Sequence, residues 1–248
     1  MTTSGDNDGG ERIAKVMARV GLCSRREAER WIMQGRVAVN GQTLDSPARA
    51  VTDGDIITVD GKPLPQRPQV RLWRYHKPEG LMTTHRDPEG RPTVFERLPK
   101  ELGRVISVGR LDIASEGLLL LTNSGALARG LELPATGWTR RYRVRVFGAI
   151  SDEGLAALAK GVTIGDVRYG PIQARVDTSS SSNSWLTLSL KEGKNREVRR
   201  VLEHLGLQVN RLIRVGYGPF QLGNLARGDV EEVPRKVMRD QLGKGLLG

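Results

Sequence analysis

Residues 108–131 read VGRLDIASEGLLLLTNSGALARGL. A Gly-Arg-Leu turn delivers Asp112, and Glu116 and Gly117 then lead into four leucines. A carboxylate after such a turn serves in one of two ways: it caps the next helix or strand, or it is presented as a chemical group. An ionised carboxylate can act as a nucleophile or remove a proton. In a pocket that excludes water it needs a nearby guanidinium to stay charged. Arg199 is the candidate. In NREVRRVLEHL (195–205), Val198, Val201, Leu202 and Leu205 form a buried helical stripe, and Arg199 lies about 100° further round, at the border where a cleft can open.

Working outward, TRRYRVRVFG (139–148) alternates Tyr142, Val144 and Val146 against Arg141, Arg143 and Arg145, which predicts a strand with Tyr142 on its apolar face. Leu186, Leu188 and Leu190 alternate likewise, while helical periods surround residues 155–158 and 198–205. This part is therefore mixed α+β. The polar stretch TSSSSNS (178–184) is read as a surface loop between strands.

The N-terminal part has its own pattern. Ile13, Val16, Met17 and Val20 share a helical face that Gly21 ends. Ser24 and Glu27 have capping-box spacing for a second helix with Ala28, Trp31 and Ile32 buried and Gly35 closing it. Val37 and Val39, then Ile57 and Val59, alternate between turns at Asn40-Gly41, Asp53-Gly54 and Asp60-Gly61. The proline-rich KPLPQRP (62–68) reads as a stiff connector. The expected division is a flexible tail at 1–10, a small domain at 11–62, a linker at 63–69, a catalytic domain at 70–240 and a C-terminal tail at 241–248.

The 39 Lys plus Arg against 28 Asp plus Glu leave a net charge of +11, which favours a polyanionic partner. Seven basic residues (Arg12, Lys15, Arg19, Arg25, Arg26, Arg30, Arg36) lie between Arg12 and Arg36 against two acidic ones, so a phosphate-binding face is expected there, with a merely solvated basic face as the alternative. One cysteine, Cys23, excludes an intrachain disulfide and fits a reducing, cytoplasmic setting. The start lacks a secretory pattern, and the apolar runs are too short to cross a bilayer. His76, His85 and His204 are not at metal-ligand spacing, so no metal is expected.

Helix, SRREAERWI helix, GRVAVNG and DGDIITV in that order resemble the S4 RNA-binding domain over residues 11 to about 62. The resemblance implies that Arg19, Arg25, Arg26 and Arg30 face structured RNA. GRLD followed by EGLLLLTN resembles the active-site motif of the RsuA/RluB family of ribosomal RNA pseudouridine synthases. RYHKPEG (74–80) resembles that family's entry strand, and EGKNREVRRVLEHLGLQVNRLIRVGYGPFQL (192–222) its closing motif. The similarity spans about residues 70 to 235. It implies an α+β fold: a small S4-like (α-L) domain, then a mixed, mainly antiparallel sheet with flanking helices. It also implies a uridine-to-pseudouridine isomerase, without cofactor, acting as a monomer on ribosomal RNA or a pre-ribosomal particle.

In that resemblance Asp112 is the catalytic carboxylate, Arg199 pairs with it, and Tyr142 stacks on the uracil. Arg110 fills the gap left by the extruded base, and Lys77, Arg140, Arg196 and Arg200 contact RNA. Arg140 and Ser115 depart from the usual lysine and threonine, keeping charge and hydroxyl. The S4 helices lean toward large-subunit modifiers. The principal alternative is a non-catalytic S4-type RNA-binding or ribosome-assembly protein. An S4-linked methyltransferase would need a glycine-rich strand-to-helix turn that the sequence lacks, and a glycosidase using Asp112 with Glu116 rests on spacing alone.

Overall fold

The computed structural model describes residues 10–133, 136–179 and 183–247. The expected tail, except for Gly10, lies outside them. The chain forms two compact units, Met1–Val70 and Arg71–Gly248.

In the first, β1 (Glu11–Arg12) leads into α1 (Ile13–Arg19) and α2 (Arg25–Met33). The Ser24 hydroxyl accepts the Glu27 N–H at 3.1 Å, and Gly21 and Gly35, at φ 81° and 69°, follow the two helices. Ile13, Ala14, Met17, Ala28 and Ile32 are buried, whereas Val16 and Trp31 are half-buried, so the α1 stripe is turned toward Ala14. The sheet comprises β2 (Val37–Val39), β3 (Gln42–Thr43), β5 (Ile57–Val59) and β6 (Lys62–Pro63) in the order β3-β2-β5-β6, while β4 (Ala50–Val51) pairs with β1. Asn40-Gly41 and Asp60-Gly61 have positive φ at both residues, the geometry that closes two-residue hairpins. Lys62 and Pro63 thus belong to the sheet, at an edge that tolerates proline's missing N–H.

The second unit runs β7 (Leu72–Lys77), α3 (Val94–Arg97), β8 (Ile106–Val108), β9 (Glu116–Thr122), α4 (Gly125–Glu132), β10 (Arg140–Phe147), α5 (Asp152–Leu158), β11 (Val162–Ile164), β12 (Val167–Tyr169), β13 (Ile172–Ser179), β14 (Asn183–Leu190), α6 (Glu197–His204), β15 (Gln208–Tyr217), β16 (Phe220–Gln221), β17 (Val230–Glu232) and α7 (Arg235–Leu247). The main sheet has the order β13-β14-β10-β15-β9-β7-β17, with β16 on β15 and β8 on β9. Every pairing in it is antiparallel except β15 with β9. The expected mixed, mainly antiparallel sheet with flanking helices is what forms. Tyr142, Val144, Val146, Leu186, Leu188 and Leu212 join Leu158 of α5 and Val198, Val201 and Leu202 of α6 in one core. Of the expected loop at 178–184, Thr178 and Ser179 end β13, Asn183 and Ser184 begin β14, and 180–182 lie outside the described residues. The expected tail from 241 is instead helical to Leu247 across a kink at Gly243, because Met238 and Leu242 bury one stripe of α7. Among the described residues no helix is long and apolar enough to cross a membrane.

β9 is buried along its whole length. It meets β15 at only two positions, Glu116 opposite Ile213 and Gly117 opposite Arg214. Gly117 has φ 105°, and a Cβ there would stand 2.3 Å from the Arg214 oxygen and 2.7 Å from its nitrogen. Both conformation and space demand glycine. Gly117→Ala is expected to cost about 3 kcal/mol or more, lowering Tm by about 6 °C or more. Gly125→Ala, at the start of α4 with only Ile106 Cδ1 at 4.0 Å, is expected to be neutral or stabilising by up to about 1 kcal/mol. Thermal unfolding of the two variants checks the contrast.

Candidate active site

Four residues align across adjacent strands. Lys77 of β7 lies opposite Gly117 of β9, Gly117 opposite Arg214 of β15, and Arg214 opposite Tyr142 of β10. Asp112 stands on the loop that enters β9, five residues before Gly117.

That loop is fixed through its backbone. Thr83 Oγ1 donates to the Leu111 oxygen at 2.8 Å. The Lys77 ammonium donates to the Asp112 oxygen at 3.1 Å and the Ser115 oxygen at 2.8 Å, with a longer 3.5 Å contact to Ile113. Gly80 N–H donates to the Ile113 oxygen at 2.8 Å. Arg199 Nη2, from α6, donates to the Ala114 oxygen at 2.7 Å, and its Nη1 to the Val209 oxygen at 3.2 Å. Every carbonyl from Leu111 to Ser115 therefore has a donor. Among the described residues, no hydrogen bond or ion pair reaches the half-buried Asp112 carboxylate. A rigid loop thus presents a carboxylate whose lone pairs are open to a substrate.

Two expectations are corrected here. Lys77 does not face RNA: it is fully buried, because it shares the inward face of β7 with Trp73 and Tyr75. Arg199 does not ion-pair with Asp112; it is buried, and its hydrogen bonds go to backbone carbonyls, bracing the loop from the helix side. Burial lowers the Arg199 pKa, the like charge of Arg196 lowers it further, and the Asp112 carboxylate opposes both. Asp112 thus feels the guanidinium through space.

Tyr142 is buried on the core face of β10, as the alternation predicts. Arg110 is exposed and has no partner among the described residues. Arg196 is exposed at the start of α6 in a left-handed conformation, φ 50°; Arg200 is exposed, with long 3.5 Å contacts to the Tyr169 hydroxyl and Asn195. Arg140 is corrected: its guanidinium binds the Lys191 oxygen at 2.5 Å, the Trp138 oxygen at 3.3 Å and the Tyr217 hydroxyl at 3.1 Å, so it braces the end of β10 and is not held free for phosphate. In the first unit, Arg25 and Arg26 are exposed without partners among the described residues, Arg30 is exposed but joined to Glu27 at 3.1 Å, and Arg19 is half-buried against Glu11 at 2.5 Å.

Glu116 projects to the opposite side of β9, where it is buried and binds Arg211 and Arg227. Burial would raise its pKa, but the Arg211 hydrogen bonds and both guanidinium charges bring it below the ordinary carboxylate range. It is an anchored anion, which removes the two-carboxylate reading with Asp112. Sequence reasoning missed Arg214, whose Nε donates to the Leu118 oxygen at 2.8 Å where β15 leaves β9. Its only signal was an arginine two residues beyond the buried Leu212. Among the described residues no cluster of three or more His, Cys, Asp or Glu side chains could hold a metal.

A family model described as RNA pseudouridylate synthase matches residues 71–204, and the S4 domain model matches residues 11–57. The chain is 48% identical over 228 residues to a Rickettsia felis protein named as an uncharacterized RNA pseudouridine synthase, covering 92% of this chain and 99% of that one. It is 45% identical over 238 residues to the ribosomal large subunit pseudouridine synthase B of Yersinia pestis, covering 92% and 74%. A crystal structure of a pseudouridylate synthase superposes with TM-score 0.65 at 26% identity, covering 93% of this chain and 99% of that one.

Two titrations test the buried groups. Burial, opposed by the carboxylates of Asp112, Glu79 and Glu116, pulls Lys77 from 10.5 down to about 8. The unfolded chain binds the proton more tightly between those values, so this group's contribution to stability rises with pH across that window. Side-chain 13C titration is expected to show one lysine with a midpoint near 8; lysines all titrating near 10.5 would refute the buried clamp. Glu197, buried at the start of α6, is pushed up to about 7 by burial and by Glu192, although the Lys194 N–H opposes this. Its stabilising contribution is present below 4.5 and lost as pH rises through 7. Glu197→Gln should therefore gain stability over the parent between pH 4.5 and 8, by up to about 3 kcal/mol, in denaturant melts.

Proposed function

The chain belongs to the RNA pseudouridylate synthase family and carries an S4 domain, and from that premise we propose that it isomerises one uridine of large-subunit ribosomal RNA, with Asp112 as catalytic carboxylate. The observation that carries this reading is the loop whose five carbonyls are all held while the Asp112 carboxylate is left open. Similarity to the Yersinia pestis large-subunit enzyme supports the choice of RNA.

In the reaction the C1′–N1 bond breaks, the uracil turns, and a C1′–C5 bond forms; the C5 proton leaves to solvent and N1 gains one. Nothing is added or removed overall, so no cofactor is assigned. Asp112 attacks C1′ or takes a sugar proton. Arg199 holds the loop and supplies positive potential, and the Tyr142 ring stacks on the uracil. Arg110, exposed two residues before Asp112, replaces the extruded base in the RNA stack. Arg196 and Arg200 meet phosphates at the start of α6. Arg19, Arg25, Arg26 and Arg30 of an S4 domain at 11–62 hold structured RNA, and the catalytic domain begins near residue 70. The enzyme acts as a monomer in the cytoplasm on ribosomal RNA or an assembling particle.

Tritium release from C5-labelled uridine in a large-subunit ribosomal RNA transcript tests the assignment. The parent protein should release tritium, and Asp112→Asn should be slower by about 10²–10⁴-fold or more with RNA affinity retained. Equal rates would remove Asp112 from the chemistry. No release by the parent from free RNA or assembly intermediates, with binding intact, would leave an RNA-binding protein.

A further inference from the structure

Strand β10 has two faces, and the site uses only one. Tyr142, Val144 and Val146 point into the core, while Arg141, Arg143 and Arg145 are exposed on the other side. In register, Arg143 lies opposite Thr187 of β14 and Ile213 of β15, and Arg145 opposite Trp185 and Arg211. Thr187 in turn lies opposite Arg175 of β13. Arg143 stacks over the Trp185 ring at 4.8 Å and Arg211 lies 6.0 Å from it. Arg143 and Arg175 expose 50% and 78% of their side chains. Among the described residues two carboxylates share this side, and both are engaged: Asp177 by Arg175 at 3.0 Å, Arg143 at 3.8 Å and the Thr187 hydroxyl at 2.7 Å, and Glu116 by Arg211 and Arg227. Arg145 has no partner among the described residues.

We propose that this arginine face of β13, β14, β10 and β15 is a second RNA-binding surface, which grips the sugar-phosphate backbone of a structured RNA segment remote from the target uridine. The inference rests on the isomerase reading for its RNA. The surface is a preformed lattice of guanidinium groups on a rigid sheet, held at strand spacing by Trp185 and by the hydrogen-bonded carboxylates. Fixed cations facing solvent release counterions from a phosphate backbone at little ordering cost. Planar guanidinium groups offer forked donors to phosphate oxygens, which ammonium groups do not. The engagement of both carboxylates by arginines disfavours a basic peptide.

The test compares two RNAs, a short hairpin containing only the target uridine and the full domain of large-subunit RNA around it, with the parent and with Arg143→Ser/Arg145→Ser/Arg175→Ser. These side chains are exposed, and thermal unfolding checks that the variant folds. The parent should prefer the long RNA. In the variant that preference should fall by about tenfold or more near 0.15 M salt, and the slope of log Kd on log salt should drop by about 2–3. An unchanged preference and slope overturn the proposal and leave the face to a protein partner or to solvent. Tritium release by the parent on the same RNAs reports the isomerase reading separately: release with an unchanged preference removes the second surface alone, whereas loss of preference without release removes the isomerase reading alone.

Discussion

The two halves of the main sheet touch through two residue pairs, at Glu116 and Gly117 of β9 against Ile213 and Arg214 of β15. On one side of that junction lies an antiparallel run from β13 to β15, on the other β9, β7 and β17. The backbones approach so closely that no Cβ fits at Gly117. Beyond the junction β15 departs, and the carbonyl of Leu118 would lose its ladder partner; the Arg214 side chain supplies the donor instead. The close approach sets the distance between Tyr142, reached through β15, and the Asp112 loop, which enters β9 just before it.

The loop itself is held by an unusual economy of groups. A single buried ammonium donates to two of its carbonyls within 3.1 Å, and one guanidinium takes a third. Burying a cation is costly, as the lowered Lys77 pKa records. Converging carbonyl dipoles and the nearby carboxylates of Asp112, Glu79 and Glu116 offset part of that cost. Because the donors act on the backbone and not on the carboxylate, the loop is held without occupying the Asp112 carboxylate oxygens. A direct Asp112–Arg199 salt bridge would instead take up carboxylate oxygens that this arrangement leaves open.

Much of this was legible in the sequence where the signal is local. The Ser24 cap, the Asn40-Gly41 and Asp60-Gly61 turns, and the alternation of β10 and β14 each describe neighbours a few residues apart, and each formed, although the Glu27 carboxylate turns to Arg30 and does not complete a capping box. The same alternation placed Tyr142 on the core face of its strand. What failed was partner choice across the chain. Lys77 and Arg140 were expected, from the resemblance, to contact RNA, whereas their side chains go to carbonyls near Asp112 and at Lys191 that lie tens of residues away. For Lys77 a local clue existed, since Trp73, Tyr75 and Lys77 keep one period, and a lysine ending a buried face needs acceptors. The α7 helix was missed because the burial of Met238 and Leu242 depends on tertiary neighbours.

The period of two in β10 has a further consequence. Tyr142 and Arg143 are consecutive, so the strand cannot slip by one residue without exchanging the tyrosine for an arginine in the core and turning the arginine ladder inward. Irregularities against β15 occur at Arg141/Tyr142 and at Arg145/Val146, bracketing the segment where both faces matter. Between them the register is regular, and the apolar residues Tyr142 and Val144 lock it against Leu186, Leu188 and Leu212. The inward face therefore fixes where the outward arginines stand, to within the stiffness of the sheet. Any polyanion gripped on the outer side would be registered to the same strand that carries the site's tyrosine, with no mobile element between the two.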